Sequence, residues 1–218
     1  MARKIKKDKY GITDPRIDDY MISLLGQRNQ TLSRMEEQAH REHIPIIGPM
    51  IAPLLTMITR MIKAKSVLEL GTAIGYSTIY FAIALKETTG MITTVEKNET
   101  YARQAINNIR EAQLLDYVTV IQDDIMKKLP ELTGPYDIIL IDTDKEIYPA
   151  LLEPCVERLR TGGILLADNV LWDGLVVEEG LDTLADIMRD FNKRLYAHPA
   201  LNSLILPFRD GVSISQKI

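Results

Sequence analysis

The stretch Val67-Leu68-Glu69-Leu70-Gly71-Thr72-Ala73-Ile74-Gly75-Tyr76-Ser77 decides the fold of this chain. Its apolar run breaks into a glycine turn where the pattern predicts the start of a helix, and acidic Glu96 follows one strand–helix–strand unit later. This layout is typical of a nucleotide-cofactor site, in which the acid accepts hydrogen bonds from ribose hydroxyls. No glycine stands between Gly71 and Gly75, so the backbone lacks the middle glycine that lets it approach a pyrophosphate. A cofactor with adenosine but no phosphate, such as S-adenosylmethionine (SAM), fits better than a dinucleotide; the alternative is an ordinary strand-to-helix turn.

Strand and helix patterns alternate after this stretch, which is typical of a parallel sheet. The end of the chain differs, because two extended runs at 201–207 and 212–216 are joined by a turn containing Asp210-Gly211, a hairpin signal. We therefore predict an α/β domain with a Rossmann-like, seven-stranded, mostly parallel sheet that finishes in an antiparallel hairpin. The other predicted strands are 66–70, 91–95, 117–121, 136–141 and 163–167, and the helices are 76–87, 99–113, 147–159 and 181–196, with a helical turn near 125–130.

Residues before the sheet show helical spacing over 18–26 and 31–43, and a third helix is predicted to end near Lys63. We expect these N-terminal helices to cap the cofactor cleft. The chain is predicted to be interrupted before the third helix by three prolines, Pro45, Pro49 and Pro53.

Composition restricts the class of protein. With 218 residues and 46% hydrophobic content, the chain can bury the core of one domain. Its one cysteine, Cys155, excludes an internal disulfide and is predicted to be a small buried side chain. No apolar run approaches the roughly 18 residues of a membrane-spanning helix, and no signal core follows the N-terminus. We therefore expect a cytoplasmic protein without a membrane partner.

The net charge of −4 is unevenly distributed. Residues 1–9 hold five basic residues and one acidic residue, a charge of +4, so the rest of the chain carries −8. A basic arm on an acidic body can bind a polyanion such as RNA, or it can be a solvated tail. We predict a flexible basic arm over residues 1–15 and a single domain over residues 16–218.

Polar residues end two strands that should be neighbours in the sheet. Asp142 follows the predicted strand 136–141, and Asp168 and Asn169 follow the strand 163–167. Ligands bind beyond the carboxyl ends of such strands, and two carboxylates with one amide suit a hard cation such as Mg²⁺, or alternatively Mn²⁺. The alternative is that Asp168 and Asn169 only cap a loop.

Lys145 stands three residues after Asp142, so one turn would bring its amine beside the metal. A nearby cation disfavours the ammonium form, which makes Lys145 a candidate general base; alone, it would be a solvated surface lysine. A substrate with two vicinal oxygens would chelate the metal, lose a proton to Lys145 and attack the SAM methyl group in line. Trp172 either lines this substrate pocket or only covers apolar side chains.

Three segments resemble the class I, cation-dependent O-methyltransferases, which include catechol and caffeoyl-CoA O-methyltransferases. They are 67–77, 142–148 and 167–174, and the resemblance extends over about residues 35–218. It implies a SAM-dependent methyltransferase domain over residues 16–218 that assembles as a homodimer. It also implies the following roles: metal ligands Asp142, Asp168 and Asn169; general base Lys145, with Asp142 beside it; and SAM contacts Ile47 (methionine end), Glu69, Gly71, Ser77, Glu96, Asp124 (adenine end) and Asp142.

Within that family the chain is most similar to bacterial tRNA 5-hydroxyuridine methyltransferases. The similarity is carried by residues 42–46, 197–199, 205–207 and 210–215. It implies methylation of the wobble uridine of tRNA to 5-methoxyuridine, since the 5-hydroxyl and 4-carbonyl groups are vicinal oxygens. Asp144 departs from that pattern and resembles caffeoyl-CoA enzymes instead. A small catechol-like or caffeoyl-CoA-like substrate is therefore an alternative, and a non-catalytic SAM-binding protein is another.

Overall fold

The computed structural model describes residues 12–26 and 28–218. Most of the predicted basic arm, residues 1–11, lies outside the described residues, and the first helix already begins at Pro15. The helices are α1 (Pro15–Leu24), α2 (Gln30–Glu42), α3 (Gly48–Met61), α4 (Tyr76–Thr88), α5 (Glu99–Glu111), α6 (Ile125–Lys128), α7 (Tyr148–Arg158) and α8 (Thr183–Ala197). The strands are β1 (Ser66–Leu70), β2 (Met91–Glu96), β3 (Val118–Gln122), β4 (Tyr136–Ile141), β5 (Leu159–Asp168), β6 (Leu201–Leu206) and β7 (Val212–Lys217). Short 3₁₀ turns cover Leu115–Tyr117, Leu129–Glu131, Lys145–Ile147 and Trp172–Val177.

The seven strands form one sheet in the order β3-β2-β1-β4-β5-β7-β6. The first five are parallel, while β7 pairs antiparallel with both β5 and β6, which confirms the predicted terminal hairpin. The strand order reverses direction between β1 and β4. Ligands of such sheets bind in the crevice outside the carboxyl ends of the strands at this point.

Both faces of the sheet are buried, as parallel sheets require. Along β4, Ile138 and Leu140 pack on the face covered by α3, α4 and α5, whereas Ile139 and Ile141 pack on the face covered by α7 and α8. Cys155 lies in the second layer, and burial raises the pKa of its thiol to about 12, so it is a packed side chain as predicted. In the described part of the chain, no helix is long and apolar enough to cross a membrane.

Most predicted boundaries shift by one to three residues, and two differences have a structural cause. Of the three prolines, only Pro45 lies before α3, because this helix begins at Gly48 and contains both Pro49 and Pro53. Pro49 stands in the first turn, where a backbone N–H has no partner within the helix. The helix predicted for 147–159 ends at Arg158, and Leu159 starts β5 four residues earlier than expected by pairing with Tyr136. Helical spacing cannot reveal this pairing with another strand.

Candidate active site

A cleft opens above the carboxyl ends of the parallel strands, and α1, α2 and residues 44–50 close over it. Its volume of about 1210 Å³ is enough for a cofactor and an acceptor together. The predicted capping role of the N-terminal helices agrees with this arrangement. The predicted site residues that line the cleft are Ile47, Gly71, Ser77, Glu96, Asp142, Lys145, Asp168 and Asn169.

The turn after β1 is shaped by Gly71. Its φ is +108°, and a Cβ atom here would overlap the backbone carbonyl of Asp142, so only glycine fits. The Gly71 N–H donates to the Val95 carbonyl at 3.0 Å. The carboxylate of Glu96 accepts from the Ala73 N–H at 2.8 Å and holds the turn against the end of β2. The structure therefore brings the glycine turn and Glu96 together in one wall of the cleft.

Glu69 lies beneath the cleft, fully buried, rather than in its wall. One of its oxygens accepts from the hydroxyls of Thr78, at 2.5 Å, and Thr94, at 2.6 Å. Burial raises the pKa of Glu69 to about 7, although these hydroxyl groups oppose the shift. The carboxyl group thus joins α4 and β2 to β1, and its direct contact with SAM stays a prediction.

Asp124 also lies outside the wall of the cleft. Its carboxylate accepts from the Lys127 N–H at 3.2 Å and caps the N-terminus of α6, while its neighbour Ile125 lines the cleft. Its contact with adenine therefore also stays a prediction. Ile47 and Ser77, by contrast, face the cleft from the start of α3 and the first turn of α4.

Asp142 and Asp168 stand side by side at the ends of β4 and β5. Ile141 pairs with Ala167 in the sheet, so the residues that follow them are adjacent. Asp168 is 2% exposed, and among the described residues its Oδ1 atom has no hydrogen-bond partner. Burial, followed by the charge of Asp142, raises the pKa of Asp168 to about 7. A cation between the two carboxylates would relieve this unfavourable burial.

The chemistry of the donors fits a hard cation. Within residues 12–26 and 28–218, no three His, Cys, Asp or Glu side chains are grouped to hold a metal ion. The predicted ligand set has only two carboxylates, and its third oxygen comes from the amide of Asn169, whose φ is +58°. An all-oxygen set that leaves room for further oxygen ligands suits Mg²⁺ or Mn²⁺.

Lys145 reaches this corner from the 3₁₀ turn that follows β4. Its amine is buried, with the residue 8% exposed, and lies 3.5 Å from Asp142 Oδ1. It also donates to the Thr143 carbonyl at 3.0 Å and to the Tyr148 hydroxyl at 2.8 Å. The structure therefore joins the predicted base to the predicted metal ligands.

Tyr148 fixes the position of that amine, a role that the sequence analysis missed. Its ring is fully buried and packs edge-on against Phe191, with centroids 5.3 Å apart. Its hydroxyl lies 3.0 Å from the carbonyl oxygens of both Ile141 and Asp168, which share its single proton, and it accepts from Lys145. Burial, with the nearby carboxylates, raises the pKa of Tyr148 well above its usual range, so the hydroxyl keeps its proton. The spacing of three residues between Lys145 and Tyr148 was the one feature of the sequence that could have indicated this contact.

The opposite wall of the cleft includes Trp172 and the β6–β7 turn. The Trp172 indole N–H donates to Asp182 Oδ1 at 3.1 Å, which fixes the ring at the wall. Arg209 and Asp210 of the turn also line the cleft, and burial raises the pKa of Asp210 to about 6. The sequence analysis identified the turn but gave these two side chains no role, because no local pattern shows that a hairpin turn reaches the site.

The lining of the cleft is strongly acidic. Among the described residues, ten carboxylates line it, against three side chains of lysine or arginine. The cations are Lys97, Lys145 and Arg209, and the acids are Asp18, Asp19, Glu36, Glu96, Asp142, Asp144, Glu146, Asp168, Asp173 and Asp210. Since clefts focus the field of the charges that line them, these side chains contribute a negative potential inside, to which the charge of a bound cation would be added.

Comparison with known proteins agrees with this geometry. A family model described as O-methyltransferase matches residues 26–218. This chain belongs to the O-methyltransferase family. A catechol O-methyltransferase of Niastella koreensis is 33% identical over 197 residues, which cover 87% of this chain and 89% of that protein. Caffeoyl-CoA O-methyltransferase 1 of Eucalyptus globulus is 30% identical, over 75% of this chain and 71% of that protein.

A solved structure gives the same result. The O-methyltransferase from Bacillus cereus, in complex with S-adenosylhomocysteine (SAH), superposes with a TM-score of 0.84 at 27% identity. The match covers 93% of this chain and 97% of that one. This O-methyltransferase is therefore an enzyme that uses SAM, and its sheet is that of the class I SAM-dependent enzymes. The resemblance found in the sequence is confirmed at the level of the family.

Proposed function

We propose that this enzyme transfers the SAM methyl group to one of two vicinal oxygens of an acceptor, with a divalent cation as cofactor. The observation that carries the proposal is the group of side chains in the cofactor cleft. Asp168, which is buried, lies there with Asp142 and Asn169, and the amine of Lys145 is beside Asp142. When bound, the cation would hold both acceptor oxygens and lower the pKa of the reacting hydroxyl.

The side chains of the protein carry out the other steps of the reaction. Lys145, in its neutral form, accepts the proton of the acceptor hydroxyl, and Tyr148 keeps the amine directed at that point. The acceptor oxygen then forms a bond to the methyl carbon while the bond from carbon to sulfur breaks, which leaves SAH. Glu96 and the Gly71 turn orient the cofactor on the other side.

We infer that the acceptor is a small diphenol of the catechol kind. The negative potential of the cleft favours a neutral or cationic acceptor and disfavours the phosphates of tRNA or of coenzyme A. The curated relatives include a catechol O-methyltransferase, which supports the same class. Methylation of wobble 5-hydroxyuridine in tRNA is the second candidate, favoured by the +4 charge of residues 1–9.

Methyl transfer from labelled SAM tests the proposal directly. We expect label to enter catechol with Mg²⁺ or Mn²⁺ and no label to enter with EDTA. Bulk tRNA that contains 5-hydroxyuridine and caffeoyl-CoA are offered in parallel. Label in tRNA alone would replace the diphenol with the wobble base, and transfer that persists in EDTA would contradict the metal-dependent mechanism.

The homodimer and the cytoplasmic location stay predictions. Sedimentation at several protein concentrations tests the first, and cell fractionation tests the second.

A further inference from the structure

Arg209 connects two walls of the cleft that are far apart in sequence. It belongs to the β6–β7 turn, and its Nη1 atom donates to the backbone carbonyls of Ile46, at 3.2 Å, and of Ile47. These carbonyls lie immediately before α3, more than 160 residues earlier in the chain. A single guanidinium group therefore bridges the start of α3 and the hairpin turn.

The first wall is the segment of residues 44–50, all of which line the cleft. Its beginning is anchored to α2, since the Ile44 N–H donates to the Ala39 carbonyl at 3.0 Å. Gly48 has a φ of +77°, and a Cβ atom there would lie 2.6 Å from Arg209 Nη1. The absence of a side chain at Gly48 thus leaves the space that the guanidinium group occupies.

The second wall is the turn of residues 207–211, which is bonded to the residues around Asn169. The N–H groups of Val170 and Leu171 donate to the carbonyls of Gly211, at 3.0 Å, and Asp210, at 2.9 Å. The β6–β7 turn is therefore fixed to the metal side of the cleft. Through Arg209, that side is linked to the segment that carries Ile47.

The backbone of Arg209 is in a conformation that residues with a side chain disfavour. Its φ is +49°, in the left-handed region that glycine adopts readily. A non-glycine residue persists in this region where surrounding contacts hold it there, and such positions cluster at functional sites. The bonds to Ile46 and Ile47 are contacts of that kind.

We propose that Arg209 is a positioning residue that holds residues 44–50 against the methionine end of SAM. The proposal rests on the proposed function and on the predicted contact of Ile47 with that part of the cofactor. Its consequence is that cofactor affinity depends on a side chain of the acceptor wall. Without the guanidinium group, the two carbonyls lose their shared donor, and the segment is held by its ends and by the packing of Ile44 and Ile47 in the core.

Arg209→Gly separates this role from a contribution to the fold. Glycine removes the clamp but suits the left-handed backbone, which offsets the lost hydrogen bonds, so we expect SAH to bind at least tenfold more weakly while the melting temperature stays close to that of the wild type. Arg209→Lys, which can reach with a single amine, should lose less affinity. Lys63→Gly is the matched control: Lys63 is exposed, has a φ of +51° and lies outside the cleft, so affinity should not change.

Isothermal titration with SAH and hydrogen exchange of residues 44–50 provide the readouts. We expect SAH to slow exchange of this segment in the wild type and to do so less in Arg209→Gly. SAH affinity within twofold of wild type in Arg209→Gly would overturn the proposal, as would a loss of affinity that only parallels a fall in melting temperature. A wild type that binds SAH but methylates no acceptor would contradict the proposed function and leave this test valid, whereas a wild type that does not bind SAH would overturn both.

Discussion

The two halves of the cleft are built in different ways. The cofactor half is formed by a glycine turn and an acid that lie within 30 residues of sequence and are joined by hydrogen bonds such as that from the Ala73 N–H to the Glu96 carboxylate. The acceptor half gathers Lys145, Trp172 and Arg209 from three separate connections. A motif can therefore encode the first half, whereas the second exists only after the chain has folded.

Of the described non-glycine residues that line the cleft with a left-handed backbone, all but Ala73 lie in the acceptor half. Asn169, Trp172, Asp173 and Arg209 all have positive φ values, between 45° and 58°, although none is glycine. Such residues persist where hydrogen bonds over-determine them, and they cluster at sites of function. The comparison teaches that changes in the acceptor half should alter catalysis, whereas changes beneath the cofactor half should alter mainly the stability of the fold.

The largest expected effect is at Asp168. Asp168→Ala removes the most buried of the proposed metal ligands, so we expect kcat to fall at least a thousandfold, about 4 kcal/mol of transition-state stabilisation. Affinity for SAH without added metal should stay within threefold, because Asp168 is not among the predicted SAM contacts. Rates and titration calorimetry measure the two.

Asp190→Ala, on the exposed face of α8, is the control for loss of an aspartate. Full activity of Asp168→Ala would break the distinction between the halves.

Glu69 tests the other half through the pH dependence of stability. Its folded-state pKa of about 7 exceeds the usual 4.5, so the folded protein binds more protons than the unfolded chain between these values. The free energy of unfolding should therefore fall as pH rises from about 4.5 to 7, by on the order of 3 kcal/mol from this group.

Chemical denaturation of Glu69→Gln at several pH values measures this effect. The variant should lose that part of the pH dependence, because the amide does not titrate. An unchanged slope between pH 4.5 and 7 would show that Glu69 does not titrate with the raised pKa.

Lys145→Met retains the length of the side chain without its amine. We expect a loss of about a hundredfold in kcat, which is the lower range for general base catalysis, with little change in SAH affinity. Lys193→Met, at an exposed position of α8, controls for loss of a lysine. Activity at the wild-type level would assign the proton transfer to another group.

Tyr148→Phe should have the smallest effect. The loss of one hydroxyl leaves two buried carbonyls and the Lys145 amine without that partner, at a cost of about 1–2 kcal/mol in unfolding free energy. We expect kcat to fall about tenfold, and we expect KM for the acceptor to change by a smaller factor. If stability falls and kcat does not, Tyr148 supports the fold without positioning the base.

The candidate site could be predicted in part. The strand ends that carry Asp142, Asp168 and Asn169 follow from apolar runs, and their convergence follows from the rule for parallel sheets. Glu69 has the same strand-end signature, yet it lies below the cleft because its side chain points between α4 and β2 toward Thr78 and Thr94. The position of an acid at the end of a strand does not show whether its side chain lines the cleft or lies beneath it.

The α/β class, the terminal hairpin and the glycine turn could be predicted from the sequence, because each depends on periodicity or on steric limits within a few residues. Three other features required the folded structure: Leu159 joins β5, Tyr148 holds Lys145, and Arg209 reaches Ile46 and Ile47. Strand pairing and burial depend on which distant segments meet. No pattern within one segment contains that information.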